Sequence, residues 1–341
     1  MKREGFNVIG QPGLRDKQSN QVISGQLAMA DDVYLGTKLF AHQLGSPHAH
    51  CRVVSIDTSK ALALPGVEAV LTHLGDDAVP GWSEEKYFVN DPVAIVAATS
   101  PNIAMEACQL IDVEYETRPA VIDIDEAIEE GSPLAGLWPE SNTNVRTEID
   151  RGNLDDGFNE ATVIVEYDHG YSNEHAPPAM GGGSCTAWWT AEDEANIFVD
   201  TQNIHSECRG VASTFGLPYN KVKGWTKGNG TGMGSGRAAV IPQAVALAKK
   251  TRKVVSFHCD RKIQQMCGGH QFALKSHTKI GAKDDGTITA FDLTYWGSQG
   301  MNSRAPITGA HQCWEHIFPV PNAHIKGIGV ATNTTNRWHY R

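Results

Sequence analysis

The chain has 341 residues, 40% of them hydrophobic and 20% charged, with a formal net charge of −10 at pH 7. That length supports two domains with cores of their own, and the acidic balance speaks against nucleic acid as a partner, since phosphate binding wants clustered Lys and Arg. A basic-then-apolar leader and a bilayer-length apolar run are both missing, and the seven cysteines stand singly without a C-x-x-C pair, so zinc-ribbon, cluster-ligand and disulfide-scaffold classes give way to a soluble protein of a reducing cytoplasm.

Residues 1–20 are polar and aperiodic and read as a leader arm. From 21 to 130 the pattern alternates between strand and helix. Val67–Thr72 and Pro92–Thr99 are short β-rich apolar runs suited to buried strands. A helix between 99 and 112 has Ser100 to cap it and Pro101 in its first turn, with Ile103, Ala104, Ala107, Leu110 and Ile111 on one apolar face. Residues 112–124 return to strand and 125–128 start a short helix. The stretch 131–150 carries Pro, Asn and Gly without periodicity, which predicts a linker. A second unit, 151–341, has predicted strands at 162–167, 187–190, 197–201, around Val222, at 254–259 and at 288–295, with a helix over about 239–250. The fold class predicted is α+β.

The densest signal lies between Thr201 and Arg237. A strand ends in the polar pair Thr201-Gln202. After a helical segment, Gly216-Leu217-Pro218 and a short strand, glycines stand at 228, 230, 232, 234 and 236 before a helical pattern resumes. Alternate glycines remove side chains, so that main-chain N–H groups can approach a bulky anionic ligand at a helix N-terminus. A flexible surface loop is the plain alternative. Neither G-x-G-x-x-G nor G-x-x-x-x-G-K-[ST] can be drawn through the run, so it is not one of the usual nucleotide cradles. His258-Cys259-Asp260 places a thiol beside a base but ends a predicted core strand. Cys267-Gly268-Gly269-His270 reads as a turn entering a strand, Asp76-Asp77 and Asp155-Asp156 as solvated turns, and Trp188-Trp189 as sheet packing.

Several further runs carry a resemblance: Ser46-Pro47-His48-Ala49-His50, Val53 to Asp57, Leu64-Pro65-Gly66-Val67, Pro92 to Ala97, Val113 to Glu116 and Pro119-Ala120-Val121. Arg151-Gly152-Asn153, Thr201-Gln202, Phe215 to Pro218, the glycine loop, Thr332-Asn333-Thr334 and Tyr340-Arg341 extend it. From about residue 20 onward the chain resembles the N-terminal half of the molybdopterin-binding large subunit of the molybdenum hydroxylases, the family of xanthine dehydrogenase and aldehyde oxidase. The resemblance implies a hammerhead-like α/β domain over 21–130, followed by the first molybdopterin-binding domain over 151–341. It implies cofactor contacts from Gln202, Gly230, Thr231, Gly232, Met233, Gly234 and Arg341, and a substrate pocket near Met180, Gly181 and Met233. A phosphate-bearing cofactor with an oxo/sulfido metal centre wants amide donors and close main-chain approach, which suits these residue types. No direct metal ligand is expected on this chain.

The chain also departs from the family pattern. Gly181 stands where hydroxylases usually carry a substrate-orienting glutamate, Met233 where purine enzymes carry phenylalanine, and no substrate-steering arginine stands near Gly309. A wider, uncharged pocket with an adaptable methionine suits a substrate other than a purine. The family's large subunit is much longer and keeps its catalytic glutamate base near its C-terminus, so that base is expected on a partner. Either a second subunit completes the cofactor site or the chain is part of a longer one. The expected activity is insertion of a water-derived oxygen into a C–H bond. A small-molecule substrate, the molybdenum cofactor in mononucleotide or cytosine dinucleotide form, a 2Fe-2S subunit and an FAD subunit would be the partners. A non-redox hydratase on the same scaffold and a non-catalytic cofactor-holding subunit are the alternatives.

Overall fold

The computed structural model of the protein describes residues 5, 7, 18–33, 35–136, 140–171, 183–228, 240–271, 273–301 and 318–337. The first half holds α1 (Ser19–Ile23), a 3₁₀ turn (Ala30–Asp32), β1 (Lys38–Gly45), β2 (Cys51–Asp57), α2 (Ser59–Ala63), β3 (Val67–Leu71), β4 (Glu85–Lys86), β5 (Pro92–Ala98), α3 (Pro101–Gln109), β6 (Asp112–Thr117) and α4 (Ile124–Ile128). The second holds β7 (Thr143–Arg151), α5 (Leu154–Asn159), β8 (Val163–Tyr171), β9 (Ser184–Trp189), β10 (Ala195–Val199), α6 (Ile204–Phe215), β11 (Val222–Trp225), α7 (Ile241–Thr251), β12 (Val254–His258), α8 (Arg261–Cys267), β13 (Leu274–Ala282), β14 (Ile288–Gly300) and β15 (Asn322–Ala331).

These strands make a seven-stranded sheet ordered β11-β10-β9-β12-β1-β5-β3, a five-stranded sheet ordered β7-β15-β14-β13-β8, and a small sheet ordered β4-β2-β6. The large sheet crosses the boundary predicted between the two units: β1 pairs in parallel with β12, Lys38 against Val254 through Ala41 against Phe257. α7 covers one face of it. Val245 and Leu247 are fully buried against Leu39, Ile95, Ile197, Val255 and Phe257. Each such aliphatic side chain contributes about 1.5–3 kcal/mol by leaving water.

Local chemistry explains the helix α3. The Ser100 hydroxyl accepts the Ile103 amide at 3.3 Å and Pro101 sits in the first turn, where its missing N–H leaves nothing unpaired. Ala104 and Ala107, both fully buried, bring the helix close to Val96 and Ala98 of β5. The strand predicted over 112–124 is shorter, ending at Thr117, because Pro119 follows and the chain turns into α4. The predicted linker 131–150 differs more. Thr143–Arg151 is an edge strand, β7, paired antiparallel with β15. Its residues are mostly exposed on both faces, so the period-two apolar signal of a strand is missing from its sequence.

Two glycines in β15 are required by packing. A Cβ on Gly327 would lie 2.5 Å from the Tyr295 ring and one on Gly329 2.6 Å from the Gln299 side chain. Their absence lets Tyr295 and Gln299 be buried across the parallel β14–β15 pair. No helix among the described residues is long and apolar enough to cross a membrane.

Candidate functional site

β10 and β11 run parallel and are joined by α6, so their C-terminal ends open at the same edge of the sheet, together with the N-terminus of α6. That is where an α/β sheet offers main-chain amides and a positive helix end to a ligand. Thr201 and Gln202 follow β10, and Thr226, Lys227 and Gly228 follow β11. The Thr226 hydroxyl ties the two together, lying 3.4 Å from the Thr201 carbonyl and 3.3 Å from the Gly228 carbonyl. Asn203 caps α6 by accepting the Ser206 amide at 3.2 Å. Gln202 is exposed, and its side chain makes no hydrogen bond to any described residue. It is a neutral donor on the exposed end of the segment after β10, next to the cap of α6.

Behind Gln202 lies a buried polar layer. The Asp200 carboxylate, 4% exposed, accepts the Ser184 hydroxyl at 2.7 Å and the Ala30 main-chain amide at 2.9 Å. Thr186 donates to the Ala30 carbonyl at 2.8 Å, and its hydroxyl lies 3.2 Å from that of Ser256. The Thr201 hydroxyl donates to Glu207 at 3.0 Å; burial pushes the Glu207 carboxyl above its ordinary range and that hydrogen bond draws it part of the way back. His258, at the C-terminal end of β12, pairs with Asp31 at 2.5 Å. The hydrogen bond to Asp31 raises the imidazole's pKa, opposed by burial and assisted by the Asp31, Asp260 and Asp200 charges.

Of the residues predicted for the site, Gln202 is the one the structure describes; it follows Thr201, whose carbonyl the Thr226 hydroxyl approaches together with that of Gly228, the first residue of the glycine run. Met180, Gly181, Gly230, Thr231, Gly232, Met233, Gly234 and Arg341 lie outside the described residues. Cys259 is buried and its thiol is pushed far up by burial, so His258-Cys259 is packing rather than a reactive pair. Cys267 closes α8, its thiol pushed up to about 12 by burial, and donates to the Asn90 carbonyl at 3.1 Å. Trp188 stacks on Trp225 across the sheet at 5.4 Å. Asp77 is paired with Lys250 rather than merely solvated. No group of three or more His, Cys, Asp or Glu among the described residues could hold a metal ion.

Asp31 and Asp200 escaped sequence reasoning, and His258 was weighed only as the base beside Cys259, not as the partner of Asp31. The signal for Asp200 was a lone carboxylate closing an apolar strand immediately before Thr201-Gln202. Its meaning depends on Ala30, brought to it from 170 positions upstream.

Residues 137–341 match the molybdopterin cofactor-binding domain family, and residues 24–119 match the a/b hammerhead domain of aldehyde oxidase and xanthine dehydrogenase. The chain is 28% identical over 350 residues to the nicotinate dehydrogenase large molybdopterin subunit of Eubacterium barkeri, covering 96% of this chain and 80% of that protein. It is equally identical, 28%, to mouse (Mus musculus) xanthine dehydrogenase/oxidase, covering 95% of this chain but only 25% of that much longer protein. Among solved structures, reconstituted CO dehydrogenase from Oligotropha carboxidovorans superposes with a TM-score of 0.83 at 26% identity, over 96% of this chain and 45% of that one.

Proposed function

The chain belongs to the molybdenum hydroxylase family of xanthine dehydrogenase and aldehyde oxidase, as the N-terminal part of the molybdopterin-binding large subunit, and from that premise we propose that it binds one side of the molybdenum cofactor and serves the hydroxylation of a small non-purine molecule. One observation carries this reading: the segments that follow parallel β10 and β11, which carry Gln202 and Gly228, are linked through the Thr226 hydroxyl at the sheet edge where α6 begins. The donor set fits the group. A neutral side-chain amide without a partner among the described residues, a helix N-terminus and a main chain stripped of side chains suit an anionic, oxo-bearing ligand.

When bound, the cofactor supplies the redox chemistry by which R–H and water become R–OH, two protons and two electrons. Gln202 would orient it through the side-chain amide without adding charge, and Gly230, Thr231, Gly232, Met233, Gly234 and Arg341 would supply the further contacts. Met180, Gly181 and Met233 would serve an uncharged substrate pocket. Asp200 and Thr226 hold the Thr201-Gln202 turn from behind. The remainder of the cofactor site, with its glutamate base, comes from a partner subunit, and the electrons leave through 2Fe-2S and FAD subunits. Coverage of 80% of a relative that is itself named a large molybdopterin subunit supports the presence of partner subunits.

The test is elemental and pterin analysis of the complex purified from its native source, alongside the chain expressed alone. Close to one molybdenum and one pterin per chain in the complex, with almost none on the isolated chain, is expected. A complex without either overturns cofactor binding, and full loading of the isolated chain overturns the shared site. Substrate-dependent reduction of an artificial electron acceptor separates a hydroxylase from a hydratase.

A further inference from the structure

Residues 18–32 precede the first strand of the hammerhead, and residues from 24 onward fall within the hammerhead match. In space they lie against the second-unit half of the shared seven-stranded sheet, at β9, β10, β12 and the end of β11. The Gln18 side-chain amide donates to the Lys227 carbonyl at 2.8 Å. At the other end Ala30 is held through both main-chain groups, its amide by Asp200 and its carbonyl by Thr186. Asp31 pairs with His258, and its carbonyl accepts Lys38 Nζ at 2.7 Å. Between these anchors, Leu27 and Met29 press on Gly228. A Cβ built there would lie 2.8 Å from Leu27 Cδ2 and 2.9 Å from Met29 Sδ. Gly228 is buried under them.

We propose that Gln18–Asp32 is a strap whose Leu27 and Met29 are positioning residues: they fix the main chain at Gly228 against the Thr201-Gln202 turn and so set the mouth of the cofactor site. The physics is that of a packed contact. The half-buried Leu27 and Met29 side chains fill the space a side chain at Gly228 would take, and the strap that carries them is pinned at both ends by hydrogen bonds to the segments that follow β10 and β11, so they can give way only as far as those anchors allow. The effect on cofactor binding rests on the function proposed above; the mechanical coupling of strap and Gly228 does not.

The experiment separates the two. In the assembled complex, Gly228→Ala drives a Cβ into Leu27 and Met29 and is expected to lower bound molybdenum and pterin by about tenfold. Met29→Ala or Leu27→Ala in the Gly228→Ala background vacates that space and restores at least half of the cofactor. Hydrogen exchange on the same samples reads the coupling directly, and does so on the double variant Leu27→Ala/Met29→Ala even where Gly228→Ala fails to assemble. Amide exchange at 226–228 speeds up when the two side chains are removed. Full cofactor content in Gly228→Ala, or its loss without rescue, overturns the positioning role. Unchanged exchange at 226–228 in the double variant overturns the strap. A wild-type complex that holds no pterin overturns the cofactor reading, with the exchange result still deciding the strap.

Discussion

Asn333 and Tyr87, 246 positions apart, are joined by a 3.1 Å hydrogen bond from the asparagine side-chain amide to the tyrosine carbonyl. The same buried side chain donates to the Ala135 carbonyl at 2.8 Å and accepts the Val121 amide at 2.9 Å. Asn333 thus clamps the segment after β4, the turn before α4 and the chain before β7 onto the end of β15. The Thr-Asn-Thr run that resembles a family motif is, at its asparagine, a structural bracket.

Asn333→Ala leaves one amide and two carbonyls without partners in a buried place. We expect a stability loss of about 2–4 kcal/mol, measured as a lower denaturation midpoint with unchanged slope. A loss below about 0.5 kcal/mol, the usual range for a surface substitution, would show that water replaces the bracket.

Gln202→Ala tests a different kind of residue. The side chain bonds no described residue, so the melting temperature should hold, while activity of the assembled enzyme falls about tenfold to a thousandfold, the range for losing one preorganised donor. Wild-type turnover would assign Gln202 to the turn alone.

Two features of this region differ in how far sequence reveals them. Ser100-Pro101 with its alanine face announces α3 because cap and periodicity are both local. β7 is silent because an edge strand exposed on both faces has no apolar alternation to display. Gln202 stands out in the sequence through the family motif and through its place after an apolar run. Asp200, beside it, was not, since its partners Ala30 and Ser184 are set by tertiary structure. The pairing of β1 with β12 has the same character: both strands read as apolar, and nothing in either names the other.

The Asp31–His258 pair makes the strap sensitive to pH. The groups facing it are Asp200, Asp260 and Lys38, with His42 at 4.0 Å from Asp260. The hydrogen bond to Asp31 holds His258 above its ordinary value, so the contribution is full below about pH 6.5, the unfolded imidazole value, and is lost as pH rises through the raised folded value. Protection of the Ala30 amide, corrected for intrinsic exchange, should therefore fall with rising pH above neutrality. His258→Gln should flatten the profile, and an unchanged profile would remove the pair from the account.

Lys86 and Asp91 form a second titrating element. Burial raises the Asp91 carboxyl to about 6, with the Lys86 charge and the Tyr87 amide pulling it down. Burial likewise lowers Lys86, whose side chain is 2% exposed. A raised folded pKa on an acid gives stability that is present at low pH and lost as pH rises through about 6. Lys86→Met should cross over: more stable than wild type at about pH 4, where Asp91 is protonated and no longer offsets the buried ammonium, and less stable at about pH 8, where the buried Asp91 carboxylate loses the nearby positive charge. Thermal melts that shift in the same direction at both ends would refute the coupling.

The long sheet has a bearing on how the protein is made. Lys38 to Ala41 cannot find Val254 to Phe257 until the ribosome has extended the chain past them. At about 5–20 residues per second, β1 waits roughly 10–40 seconds with one hydrogen-bonding edge uncovered. During that interval Lys38–Gly45 is a nascent edge open to wrong neighbours, since β5, synthesised soon after it, covers only its other side. Slowing of translation between β5 and β12 should therefore lengthen the period in which a chaperone is needed, and the hammerhead expressed without β12 should keep that edge unsatisfied for good.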